Sequence, residues 1–155
     1  EYHFEMVRLG IGLYGFSGSA DSRFLHALGS LKSYIVQIRK VKAGESVGYA
    51  RKGIDQVDRM IATVALGYAD GLDRRLSNGN WNITWQGVQC PIVGNVCMDM
   101  TMIDITDIPS VNEGDSVQVF GKNLALTQVA KWAGTIPYEI LTSIGQRVKR
   151  IYIAD

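Results

Sequence analysis

The residues that could do chemistry sit in a few short segments, at positions where strand patterning would place apolar side chains. Arg8 stands just ahead of Gly10 and Gly12. An arginine beside a glycine-rich turn can pair with a phosphate or a ring nitrogen, and bare backbone N–H groups can cradle an anion; an exposed arginine at a strand end would look the same. Tyr49 lies between Gly48 and Ala50. Small neighbours leave a phenol accessible in a crevice as a proton donor or acceptor. Its ordinary pKa of about 10 would need lowering by a cation such as Arg51. A packed strand tyrosine is the alternative. In Gly67-Tyr68-Ala69-Asp70-Gly71, followed by Arg74-Arg75, glycines demand tight turns and the arginines suit a carboxylate; Asp70 could equally satisfy a turn N–H. Asn95-Val96-Cys97-Met98-Asp99-Met100 strings a thiol, a thioether and a carboxylate together, as a site or as a buried core would. Pro137-Tyr138-Glu139 opens a helix, whose start can receive phosphate with the Tyr138 hydroxyl beside it. Metal is not expected: Cys90 and Cys97 have no matching histidine pair, and His3 and His26 are isolated. The chain has no phosphate-binding P-loop, dinucleotide fingerprint or serine elbow.

The elements that must position these residues are mostly strands. Leu31–Val41 alternates as a long strand. Asp58–Leu66 is nearly continuous in apolar residues and reads as central. Further strands are expected from Ser46, over Trp81–Trp85, Gln89–Gly94, Val96–Ile105 and Ser116–Phe120, and over Arg147–Ile153 as a closing strand. Met6–Gly15 reads as a short strand entering a loop, and Phe16–Ser22 as a linker. Helix appears late: Thr127 can cap Gln128–Ala133 with Gly134 as the stop, and Pro137 suits the first turn of Tyr138–Ile144. Many short strands with regular turns argue a small barrel or sandwich. The 155 residues are 46% hydrophobic and 20% charged, enough for a real core. The formal charge of +1, from 16 basic and 15 acidic residues, lacks the footprint of a nucleic-acid or anionic-membrane binder. No apolar run reaches the roughly 18 residues of a membrane helix, and Glu1–Glu5 does not read as a secretory leader.

Taken in order, these segments resemble the C-terminal part of the alanine racemase family of pyridoxal-phosphate enzymes. The matching stretches are Met6–Gly15, Val47-Gly48-Tyr49, Ala65–Gly71, Pro91–Asp99 and Ile136–Ile140, closed by Arg147–Arg150. The resemblance implies a (β/α)8 barrel that holds the cofactor, followed by a β-rich domain. Residues 1–22 are then the end of that barrel and a linker, and residues 23–155 the C-terminal domain. The expected fold is mainly β: a small β-barrel or sandwich, two short late helices and a remnant of the last strand of the cofactor barrel.

The resemblance also implies roles. Arg8 would contact the pyridine nitrogen; always charged, it would keep that nitrogen unprotonated and the cofactor a weaker electron sink. Gly10 and Ile11 would be backbone donors to the phosphate, and Tyr138 its hydroxyl partner. Tyr49 would be one of two catalytic bases and reach the partner subunit's active site, so that catalysis needs a homodimer. Met98 and Asp99 would line the substrate pocket from the partner side, and Tyr68 and Arg74 the entryway. The other base, a lysine that carries the cofactor, matches no lysine here; Lys131 reads as solvated. The chain by itself is therefore expected to be inactive. Leu9 stands where many relatives carry proline. Serine-using relatives, including the membrane-anchored racemases of vancomycin-resistance clusters, keep both alanine and serine open as substrates. The implied product is a D-amino acid for peptidoglycan precursors, made in the cytoplasm or in the cytoplasmic domain of an anchored protein, with no membrane contact from this segment. A non-catalytic dimerisation or interaction module of the same fold is the rival expectation. A nucleic-acid-binding barrel fits neither the charge nor the absence of a basic–aromatic stripe.

Overall fold

In the computed structural model, residues 5–8, 10–17 and 24–153 are described. The elements, in chain order, are β1 (Leu31–Val41), β2 (Ser46–Val47), β3 (Gly53–Ile54), β4 (Arg59–Val64), β5 (Asn82–Trp85), β6 (Val88–Val93), β7 (Thr101–Asp104), β8 (Ser116–Phe120), α1 (Leu126–Trp132) and α2 (Pro137–Ser143). Six strands close an antiparallel barrel in the order β1-β4-β7-β6-β5-β8, while β2 and β3 form a separate small hairpin.

Closure depends on β1. Its first residues pair with β8 and the remainder with β4, and the register shifts between Ile35 and Gln37. Such an irregularity bends a strand and increases its twist, which lets one long strand serve two neighbours. Ile35, Val64, Ile83, Ile92, Ile103, Val117 and Val119 fill the interior and are essentially solvent-free. Each contributes about 1.5–3 kcal/mol on burial. A smaller cluster of Val41, Val47, Ile61 and Met102 seats the β2–β3 hairpin on the barrel wall. The barrel is thus a stiff base, and the hairpin rides on it.

The expected strands over Leu31–Val41 and Ser116–Phe120 coincide with β1 and β8. Others differ. Val96–Ile105 is a strand only over Thr101–Asp104, because residues 95–100 bond instead to the turns beside them. Arg147–Ile153 forms no strand, since no barrel edge is left to pair with it. Among the described residues before Phe16 there is a 3-10 turn, Ile11–Tyr14, and no strand. Thr127 does not cap α1; Ala125 holds that position without a side-chain bond. Pro137 does open α2. The expected boundary between residues 22 and 23 lies outside the described residues, as do His3 and Leu9.

Candidate active site

Tyr49 follows β2 in a 3-10 turn, Tyr49–Arg51. Gly48 enters the turn at φ 73°, and a Cβ there would meet the Met102 Cε at 2.7 Å. Only glycine combines that φ with so close an approach. Ala50 and Arg51 then take φ of 61° and 51°. Left-handed backbone costs non-glycine residues roughly 1–2 kcal/mol each. This strained turn holds the Tyr49 side chain outward and 75% exposed, and its hydroxyl bonds to no described residue.

The opposite wall consists of two loops locked to each other. The amides of Tyr68 and Ala69 donate to the carbonyls of Cys97 and Met98, both at 2.9 Å. A Cβ at Gly67 would stand 2.3 Å from the Met98 carbonyl oxygen, so the contact needs glycine. Asp70 Oδ2 accepts the Gly67 amide at 2.9 Å, the turn role that the sequence had left open for it. Its other oxygen accepts Arg147 Nε at 2.7 Å, and Arg147 Nη2 donates to Asp99 Oδ1 at 2.6 Å. Hydrogen bonds to the Asp70 and Asp99 carboxylates raise the Arg147 pKa further, so this clamp stays charged. Arg74 begins a 3-10 turn capped by Asp73. Ser77 Oγ donates to the Arg74 carbonyl at 2.6 Å and accepts the Val96 amide at 2.9 Å, which ties that turn to the Asn95–Cys97 loop.

Tyr49, Tyr68, Arg74, Met98 and Asp99 all line one open groove of about 1260 Å³, so the structure brings these five expected site residues together. Asn95 also lines it, and its side chain bonds to the Tyr49 carbonyl. Burial pushes the Cys97 thiol up, opposed by Arg74 and the Tyr49 backbone, which keeps it a neutral wall group rather than a nucleophile.

Three of the expected cofactor residues, Gly10, Ile11 and Tyr138, form a second cluster that does not line the groove. The Ile11 amide donates to the Tyr138 hydroxyl at 2.8 Å. A Cβ at Gly10 would come within 2.9 Å of that hydroxyl oxygen. The bare backbone at Gly10 and the Tyr138 hydroxyl, which accepts the Ile11 amide and keeps its own O–H to donate, fit one end of a phosphate group. Arg8 is exposed and pairs with no described residue. α2 links the clusters: Tyr138 stands in its first turn, and Ser143 near its end donates to the Gly71 carbonyl at 3.2 Å. Among the described residues no three His, Cys, Asp or Glu side chains gather to hold a metal.

Arg147 and Asn95 are the site-building residues that residue types did not mark. Arg147 reads as the start of a closing strand, and Asn95 only as the first residue of the segment that carries Cys97, Met98 and Asp99. The one available signal was the presence of two carboxylates, Asp70 and Asp99, in the segments already singled out, which a single arginine could join.

The architecture defines a mainly β barrel domain with two short helices, whose rim carries the polar site. Residues 28–152 match the family model described as alanine racemase, C-terminal domain. The chain belongs to the alanine racemase C-terminal domain family. It is 42% identical to alanine racemase 1 of Clostridium acetobutylicum over 163 aligned residues, which cover 100% of this chain and 42% of that protein. Among solved structures, it is similar to alanine racemase from Bartonella henselae with covalently bound pyridoxal phosphate, at a TM-score of 0.87 and 39% identity, covering 93% of this chain and 40% of that one. Alanine racemase of Clostridium difficile 630 gives a TM-score of 0.88 at 37% identity, covering 96% of this chain and 40% of that one. The chain thus spans about two fifths of the relatives it matches.

Proposed function

We propose that this chain is the C-terminal part of a pyridoxal-phosphate-dependent alanine racemase, and that Tyr49 is one of its two bases, acting in the active site of the partner subunit. The observation that carries the reading is the placement of Tyr49. It is an exposed phenol, held out by a strained turn, over a groove shared with Tyr68, Arg74, Met98 and Asp99. A buried ring could not serve another subunit. The names of the relatives support alanine as the substrate.

Pyridoxal phosphate, when bound, supplies an electron sink that acidifies the Cα–H of an amino acid. The residues of this chain do the rest. Gly10 and the Tyr138 hydroxyl would hold the phosphate end, with the Ile11 amide orienting that hydroxyl. Arg8 would contact the nitrogen of the cofactor ring. Tyr49 takes or returns the Cα proton on one face of the substrate through its hydroxyl oxygen. Met98 and Asp99 wall the pocket, and Tyr68 and Arg74 line the way in. The partner's surface closes the groove and excludes water, which strengthens the interactions made there. Residues 1–22 end the cofactor barrel, and residues 23–155 form the domain that presents Tyr49. The lysine that carries the cofactor is the second base and lies outside these residues, so this chain alone is inactive.

In the full-length enzyme, Tyr49→Phe keeps the ring and removes the proton carrier. Racemisation should fall on the order of 10²- to 10⁴-fold, while the absorbance of bound cofactor persists. Unchanged racemisation in both directions would overturn the assignment. Faster turnover of serine than of alanine would overturn the substrate.

A further inference from the structure

We infer that Asn95 is a positioning residue for Tyr49, and that Asn78 holds Asn95 in place. The inference rests on Tyr49 being a base, as proposed above. Asn95 Nδ2 donates to the Tyr49 carbonyl at 3.2 Å, and Asn95 Oδ1 accepts Asn78 Nδ2 at 3.1 Å. The orientation of the Asn95 amide is determined by its partners. A peptide carbonyl only accepts, so the NH₂ end must face Tyr49, and the oxygen left over accepts from the side-chain amide of Asn78.

The turn needs such a tie. Gly48, Ala50 and Arg51 all have positive φ, and the last two hold it without glycine's freedom. No α-helix or sheet ladder passes through Tyr49 to fix it, only the short 3-10 turn, since β2 ends at Val47 and β3 begins at Gly53. Asn95 approaches the turn from the barrel side. A Cβ built on Gly48 would lie 3.8 Å from both the Asn95 nitrogen and its carbonyl oxygen. The Cys97 thiol donates to the Asn95 carbonyl at 3.4 Å and completes the contact. Asn95 sits in a loop fixed by Ser77 on one side and by the Tyr68 turn on the other. The Tyr49 ring is therefore aimed by a bond from a rigid loop to its own carbonyl, while its hydroxyl stays free to exchange protons.

The test uses the full-length enzyme and alanine carrying deuterium at Cα. Because the reaction interconverts mirror images, kcat/KM must stay equal in the two directions. The isotope effects need not. If Tyr49 is misaimed, proton transfer at Tyr49 becomes the slow step. The Cα-deuterium effect then rises in the direction in which Tyr49 removes the proton and shrinks in the other. Asn95→Ala should show that split, with kcat/KM lower by about tenfold, the scale of one lost hydrogen bond. Asn78→Gly removes the supporting amide and accepts the φ of 57° at that position. It should give the same split, smaller in size, and it remains informative if Asn95→Ala fails to fold. If Tyr49→Phe is inactive but both asparagine variants keep wild-type isotope effects in each direction, the inference is wrong and the role of Tyr49 stands. If Tyr49→Phe stays active, the role of Tyr49 is wrong and the inference falls with it.

Discussion

At the scale of single residues, the proposed site separates groups that act from groups that aim. Tyr49 has an accessible hydroxyl and a carbonyl tied to Asn95. Tyr138 uses its hydroxyl as an acceptor for the Ile11 amide, with Gly10 beside it. Two outcomes follow for the full-length protein. Tyr138→Phe should weaken pyridoxal phosphate binding about tenfold by removing one hydrogen-bonding group, read by titrating the apoprotein with cofactor. Gly10→Ala should weaken it as well, because the new methyl would crowd the hydroxyl from 2.9 Å; unaltered affinity in both variants would place the phosphate elsewhere. The residues proposed to do chemistry were legible as types: a phenol between small neighbours, an arginine ahead of glycines. The aiming residues were not, because an asparagine or arginine that bonds to backbone or carboxylate looks like any polar loop residue until its partner is known.

At the scale of elements, the site is made from turns rather than strands. Arg147 joins the Tyr68–Asp70 turn to Asp99 through two carboxylates. Arg147→Met keeps the side-chain stem and removes both ion pairs. The amides of Tyr68 and Ala69 should then exchange hydrogen faster, as mass spectrometry of deuterium uptake would show; unchanged protection would mean that the backbone bonds alone hold the loops. Ser77→Ala would strand the buried Val96 amide and should lower stability by about 1–3 kcal/mol in urea denaturation. Asp73 has a pH signature. Its hydrogen bonds from Arg75 hold the carboxyl below its usual pKa. A lowered folded pKa contributes stability that is present above the unfolded value of about 3.9 and is lost as pH falls through the folded one. Asp73→Asn should therefore flatten the acid limb of the stability profile, modestly, because Arg75 is half exposed and screened by water. Strand patterning read β1 and β8 to the residue. It failed at Val96–Met100 and Arg147–Ile153, where alternation is present but no neighbouring strand is available. Pairing is a tertiary fact, and local pattern does not carry it.

At the scale of the whole molecule, a closed barrel removes its own edges and leaves a rigid platform with a polar rim. The groove residues and the phosphate-fitting residues occupy separate places on that platform. In the proposed dimer one cluster serves the chain's own cofactor and the other serves its partner's. Two inactive full-length variants test this directly: Tyr49→Phe, and a variant whose cofactor-bearing lysine, upstream of this chain, is replaced. Each alone should be inactive. Mixed, unfolded and reassembled in equal amounts, half the dimers are hybrids with one intact site of two, so activity should return to about a quarter of wild type. A mixture as inactive as its components would mean that Tyr49 works only within its own subunit, and the account would be wrong.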